Sequence, residues 1–261
     1  MNLIIIGTTA LLASGLTLFS GFGLGTVLMP VFALFFPVPV AIAATAVVHL
    51  ANNLFKIVLV GRRADWGVVL RFGIPAAAAA MVGASTLFLF AELPVLATYE
   101  LGGRKHEITV LKVVIGALII MFAGLDLSPR FAKLSFPPRY LLVGGLLSGF
   151  FGGLSGNQGA FRSAFLIRAG LDKEAFVGTG VVSTVIVDTV RLIVYGVSFY
   201  TSSFVALGAD VVDSVAVAIA SAFVGAYAGT RLLEKVTLRF VQLIVAVAMV
   251  AFGVALGGGI I

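Results

Sequence analysis

The sequence predicts an all-α integral membrane protein of two structural repeats, each a broken or re-entrant first helix followed by three transmembrane helices, with the repeats inverted. Three observations predict it. The chain of 261 residues is 61% hydrophobic, with a mean hydropathy of +1.18, and only 11% of its residues are charged against about 25% in an average soluble domain. So few polar groups could not cover the surface of a soluble protein of this size. Apolar runs near the roughly 20 residues that cross a bilayer recur along its length. Finally, residues 14–61 align with 149–196 without a gap: Ser20-Gly21 falls on Ser155-Gly156, Asn53 on Asp188, Lys56 on Arg191 and Gly61 on Gly196.

The first apolar segment, 3–20, starts at once and lacks a basic leader. Because the repeat includes residues 14–61, it reads as part of the mature protein and not as a signal peptide. A Gly/Ser break, Ser20-Gly21-Phe22-Gly23-Leu24-Gly25, separates it from 25–36, which is too short to cross alone at 1.5 Å per residue. Pro37 and Pro39 bound a turn, and segments 40–60 and 66–91 follow. Residues 92–107 form the one long polar loop, rich in Glu, with room for a short surface helix or strand. Segment 108–126 closes the first unit, and Pro129, Pro137 and Pro138 mark the joint. The units are therefore 1–128 and 129–261. The second repeats the plan: 137–153, a break at Ser155-Gly156-Asn157-Gln158-Gly159, then 157–169, 174–195, 204–230 and 238–259.

Each broken pair fits either one long unwound crossing, which makes the halves parallel, or a re-entrant hairpin, which leaves three crossings per half and inverts them. Loop cations arbitrate. With hairpins, Arg62, Arg63, Arg71, Arg130, Lys133, Arg139, Arg168, Lys173, Arg231, Lys235 and Arg239 share one side, and Arg104, Lys105 and Lys112 the other. With parallel halves the same residues divide almost evenly. The asymmetry favours hairpins and inversion.

Four ionisable side chains sit inside apolar segments: Lys56, Arg162, Asp188 and Arg191. A charge at the bilayer centre costs about 2.5–3.5 kcal/mol even on a lenient scale, so such residues are expected to face a polar interior. Their sum is +2. His49, Asn53 and Lys56 are spaced i, i+4, i+7, as are Thr184, Asp188 and Arg191, and each set occupies one helix face. Two matching polar stripes suggest one pocket between the repeats. Freed backbone N–H groups at a half-helix start, with its partial positive dipole, bind anions. Ser20, Gly21, Gly23 and Gly25 in one half and Ser155, Gly156, Asn157 and Gln158 in the other are expected to build such ends, and the planar fork of Arg162 suits an oxyanion. Snorkelling of Lys56, a structural Asp188–Arg191 pair and a core-bonded His49 are the bland alternatives. Asp188 and His49 are the candidates for proton coupling.

Other classes are excluded by composition. Cysteine is absent and the two histidines lie far apart, so no metal site and no cofactor are expected. The net charge of +6 is scattered over short loops and implies no nucleic acid. An intramembrane lipid-modifying enzyme lacks paired interior carboxylates or a His cluster, so no enzyme activity is expected.

The run Ser20-Gly21-Phe22-Gly23-Leu24-Gly25 with Pro30 after it, the second-half Gly149-Phe150-Phe151-Gly152-Gly153-Leu154-Ser155-Gly156 and the duplicated layout resemble the TauE/SafE family of sulfite exporters. The family pattern carries more glycine after the first break, where this chain has Thr26-Val27. The resemblance implies a multi-pass carrier of the cell inner membrane that moves sulfur-containing anions such as sulfite, organosulfonates or thiosulfate. Alternating access with a small anionic substrate is the expected function, and an anion channel is the main alternative. The expected partners are that anion and the lipid bilayer, with a homodimer as one option.

Overall fold

The computed structural model describes residues 2–20, 24–60, 63–201, 208–232 and 238–261. In the first half, α1 (Asn2–Ser20) and α2 (Leu24–Ala33) flank the first break, followed by α3 (Val38–Val60), α4 (Trp66–Ala91) and α5 (Val110–Leu127). The short α6 (Pro129–Ala132) and a 3-10 turn at Pro138–Tyr140 make the joint. In the second half, α7 (Leu141–Ser155) and α8 (Gly159–Leu166) flank the second break, followed by α9 (Lys173–Thr201), α10 (Gly208–Leu232) and α11 (Leu238–Gly257). The boundaries fall within about four residues of those the apolar segments predict, except that α9, expected over 174–195, continues to Thr201.

Among the described residues, five helical stretches are long and apolar enough to cross a membrane: Val38–Val58, Trp66–Ala91, Val110–Leu127, Lys173–Ser198 and Asp210–Ala228. Large apolar side chains such as Val58, Ile74, Leu89, Ile193 and Val254 stand exposed on these helices and on α11. In water that would be a liability; in lipid it is the expected outer surface. The chain is a multi-pass membrane protein.

One element departs from an all-α plan. Residues 92–107, expected to hold a helix or a strand, form an antiparallel hairpin of β1 (Val95–Leu101) and β2 (Arg104–Thr109). Gly102 and Gly103, both at positive φ (61° and 75°), make the two-residue turn that such a hairpin needs. Tyr99 stacks on His106 with ring centroids 5.3 Å apart and donates its hydroxyl to the Gly258 carbonyl at 2.6 Å. The hairpin thus clasps the end of α11.

Glycine stripes set how closely the helices pack. Gly145, Gly149 and Gly153 recur every four residues on α7, and a Cβ at any of them would strike a carbonyl of α4, at Phe72, Ala76 and Ala80 respectively. The ascending match shows that α4 and α7 run parallel. On the other flank Gly7 faces Val217 and Ser221, and Gly15 faces Gly225, so α1 and α10 also run parallel. Small residues that bring backbones together in this way are a standard membrane packing device. Within the second break, α8 turns back along α7: Gly144 sits under the Phe165 ring and Phe136 N–H donates to the Ala164 carbonyl at 3.1 Å.

These contacts separate necessary glycines from incidental ones. Gly149→Ala is expected to destabilise the protein by about 1–3 kcal/mol, the usual range for overpacking, and to lower the midpoint of thermal unfolding in detergent. Gly124→Ala, where a Cβ meets nothing within 4 Å, is expected to leave the midpoint unchanged or raise it, through better helix propensity.

Candidate functional site

The second break begins at a helix end that must be satisfied. α7 stops at Gly156, which adopts the left-handed conformation (φ 81°) and donates its N–H to the Gly152 carbonyl at 3.0 Å. A side chain there would be strained, and its Cβ would lie 2.8 Å from Arg191 Nη1. The Gly152 carbonyl has that one backbone bond, the Gly153 carbonyl is among the last ones that a helix leaves open, and α9 brings a donor to each. Arg191 Nη1 donates to Gly152 O at 3.3 Å, and the Tyr195 hydroxyl donates to Gly153 O. A cation at a helix C-terminus also meets its negative dipole end.

Arg191 is 1% exposed and Asp188 is fully buried, so neither charge could stand alone. Arg191 Nη2 lies 2.8 Å from Asp188 Oδ1, an ion pair set off the hydrogen-bond axis. The other carboxylate oxygen, Oδ2, lies 2.7 Å from His49 Nδ1. A carboxylate only accepts, so Nδ1 carries the hydrogen. Asn53 Nδ2 donates to the His49 carbonyl at 2.9 Å and steadies that turn of α3. The polar stripes expected on α3 and α9 do meet, through His49 and Asp188.

The other side of the break faces a cavity. α8 starts after Gln158 without a side-chain cap, and its first intrahelical bond runs from Arg162 N–H to the Gln158 carbonyl at 3.0 Å. The N–H groups of Gly159, Ala160 and Phe161 therefore lack intrahelical acceptors. Gly159 and Ala160 line a cavity together with Thr26, His49, Phe122, Asp126, Gly156, Asn157, Gln158 and Arg162. It offers about 30 Å³ to the centres of water-sized molecules, room for a water or two. Gln158 is 3% exposed, and its Nε2 donor has no hydrogen-bond partner among the described residues. Asn157 Nδ2 donates to Ser155 Oγ at 3.3 Å, and its Oδ1 is likewise unpartnered. Arg162 Nη1 donates to Thr184 Oγ1, which passes its own hydrogen to the Gly180 carbonyl at 2.9 Å. Arg162 runs past Gly180, where a Cβ would make ordinary van der Waals contact with it at 3.5 Å.

The first break approaches the same point. A Cβ on Gly25 would lie 3.8 Å from the Gly156 carbonyl and 3.9 Å from His49 Cδ2. The start of α2 therefore meets the second break where α7 ends.

Of the residues expected to bind substrate, His49, Gly156, Asn157, Gln158 and Arg162 line the cavity. Gly25, Ser155, Asn53, Thr184 and Arg191 stand directly behind it, in the contacts just given. Lys56, half-buried on α3, is absent from the lining, though near enough to Arg162 for the two charges to repel. Gly21, Gly23 and the side chain of Ser20 lie outside the described residues. Residue spacing alone did not single out Thr26, Phe122, Asp126 or Tyr195. Asp126 had a signal: a carboxylate in the final turn of an apolar segment, counted as that segment's boundary.

A family described as "Sulfite exporter TauE/SafE" matches residues 6–256 of the chain. No curated protein and no solved structure matches it.

The buried cluster has a clear test. Asp188→Ala leaves Arg191 buried without its counter-charge, and removing one partner of such a pair is strongly destabilising, by about 3–5 kcal/mol. A large fall in the thermal midpoint is expected. Asp188→Asn, which still accepts from His49, is expected to lose less.

Proposed function

This chain belongs to the TauE/SafE sulfite exporter family, and we propose that it carries a small sulfur-containing oxyanion, sulfite or an organosulfonate, out across the cell inner membrane by alternating access. The observation that carries this reading is the unpartnered Gln158 Nε2, buried at the uncapped start of α8 and sharing one cavity wall with Arg162. Backbone N–H groups, an amide donor and a guanidinium converging on one small space form an anion site. Gly159 and Ala160 N–H, Gln158 and Arg162 would hold the oxygens. Thr26 would orient them, and His49, whose Nδ1 carries the ring hydrogen, would offer Nε2 as an acceptor to a hydroxyl-bearing anion such as hydrogen sulfite. Arg191 supports the site by holding the end of α7, and Asp188 holds both Arg191 and His49. The small volume favours an inorganic oxyanion, with longer sulfonates requiring the wall to open.

Two inverted halves, 1–128 and 129–261, belong to the same proposal. Helix direction supports it. α4 and α9 start at one end of the bundle, where Asp65 N–H donates to Thr179 Oγ1 at 2.9 Å and Arg63 lies 3.4 Å from Glu174. α7 runs parallel to α4 and so starts there too. α10 follows α9 and starts from the far end, and α1 runs parallel to α10. The equivalent helices α1 and α7 thus point in opposite directions. Inverted repeats with interrupted helices meeting at mid-membrane suit a carrier whose halves rock about one site.

Arg162→Gln and Gln158→Ala are each expected to weaken sulfite binding by about 1.5–3 kcal/mol, the worth of a hydrogen bond to a charged group, or on the order of 10- to 100-fold. Lys56→Ala, away from the cavity wall, is expected to lose less. Calorimetric titration of purified protein measures all three. Wild-type affinity in both cavity variants would overturn this site assignment.

A further inference from the structure

Asp126 is the one carboxylate in the described cavity lining. It lies in the last turn of α5, one turn beyond Phe122. The Phe122 ring packs against Phe151 and Phe161, at centroid distances of 5.6 and 5.7 Å. Among the described residues it makes no ion pair. Asp188 differs on every count: its oxygens face His49 and Arg191, and it does not line the cavity. From the elements packed around the site, the charged or titratable groups facing the cavity are His49 on α3 and Arg162 on α8. Among the described residues α4, α6, α7, α11 and β2 add none to the lining.

Those facts set a charge problem. The described wall carries one permanent cation, Arg162, and one carboxylate, Asp126, and so sums to zero. An anion entering beside an ionised carboxylate is repelled, and the carboxylate has no hydrogen to offer it. A proton on Asp126 removes the repulsion, leaves a net charge of +1 and turns an acceptor into an O–H donor. We propose that Asp126 takes up one proton with each anion bound at this cavity and returns it to water when the anion leaves. The inference rests on the anion-binding reading above and extends it by making the anion and the proton cooperative ligands of one site. By linkage, each raises the affinity for the other by the same factor.

Calorimetric titration of sulfite into the purified full-length protein, repeated at one pH in buffers of different ionisation enthalpy, counts the protons taken up per anion. The wild type is expected to take up about one. Asp126→Asn, whose amide cannot take up a proton, is expected to take up close to none. Asp126→Glu is expected to restore the uptake. Sulfite binding without proton uptake in the wild type overturns this proposal and leaves the anion site standing, even if the variants fail to fold. Unchanged uptake in Asp126→Asn overturns it as well, and its loss in His49→Gln would then assign the proton to the histidine. No sulfite binding by the wild type overturns both readings.

Discussion

A helix interrupted inside a membrane leaves carbonyls on one side of the break and N–H groups on the other with no water to satisfy them, and most of this structure follows from how those groups are met. Irregular backbone at that depth survives only where protein or a polar cavity covers it. At the second break the two sets are treated differently. The carbonyls of Gly152 and Gly153 are closed off by Arg191 and Tyr195 from α9. The N–H groups at the start of α8 are left facing a cavity whose wall includes Gln158 and Arg162. One end is sealed, and the other borders the cavity.

Sealing the carbonyls has consequences through the rest of the bundle. It puts the guanidinium of Arg191 in the buried interior, and that cation requires Asp188. The carboxylate in turn brings in His49 from the other half, so that α3 and α9 meet at a buried polar contact. α7 must also lie close enough to α9 for Arg191 and Tyr195 to reach it, and on its α4 side the glycine stripe removes every Cβ that would strike the Phe72, Ala76 and Ala80 carbonyls. The packing contacts between α4 and α7 and the polar contacts between α3 and α9 both join the first half to the second. Neither half is built to close upon itself.

Much of this was legible in the amino-acid sequence because membrane segments announce themselves by length and polarity. Each helix boundary lies near its apolar run, and the breaks at 20–25 and 155–159 are where glycine and serine cluster. The stripes His49/Asn53 and Thr184/Asp188 could be placed on helix faces by spacing alone. What spacing cannot show is which face meets which. The pairing of His49 with Asp188 and the use of Tyr195 as a cap are long-range contacts with no local signature. The stripe that carries Arg191 gives no sign that the side chain reaches the carbonyl end of the second break. The hairpin at 95–109 did have a local signal in Gly102-Gly103 between alternating residues, which the Glu content of the loop obscured.

The repeats share a plan but have divided the work, and the division has a physical reason. In a perfectly symmetric molecule, position 49 on α3 and its equivalent 184 on α9 would match, as would 53 and 188. A His and an Asp in both copies would give two identical buried pairs across the interface. The chain keeps one: His49 with Asp188. At the other positions stand Asn53, which bonds within its own turn, and Thr184, whose hydroxyl accepts from Arg162. Replacing the second His by Thr releases that point of α9 from pairing and lets it aim the guanidinium of α8. Nothing equivalent to Arg162 occurs in the first half, where Val27 stands at the aligned position. An anion held as proposed, by one cation aimed from α8, would lie off-centre in the cavity and leave the Phe122 and Asp126 part of the wall to a different task.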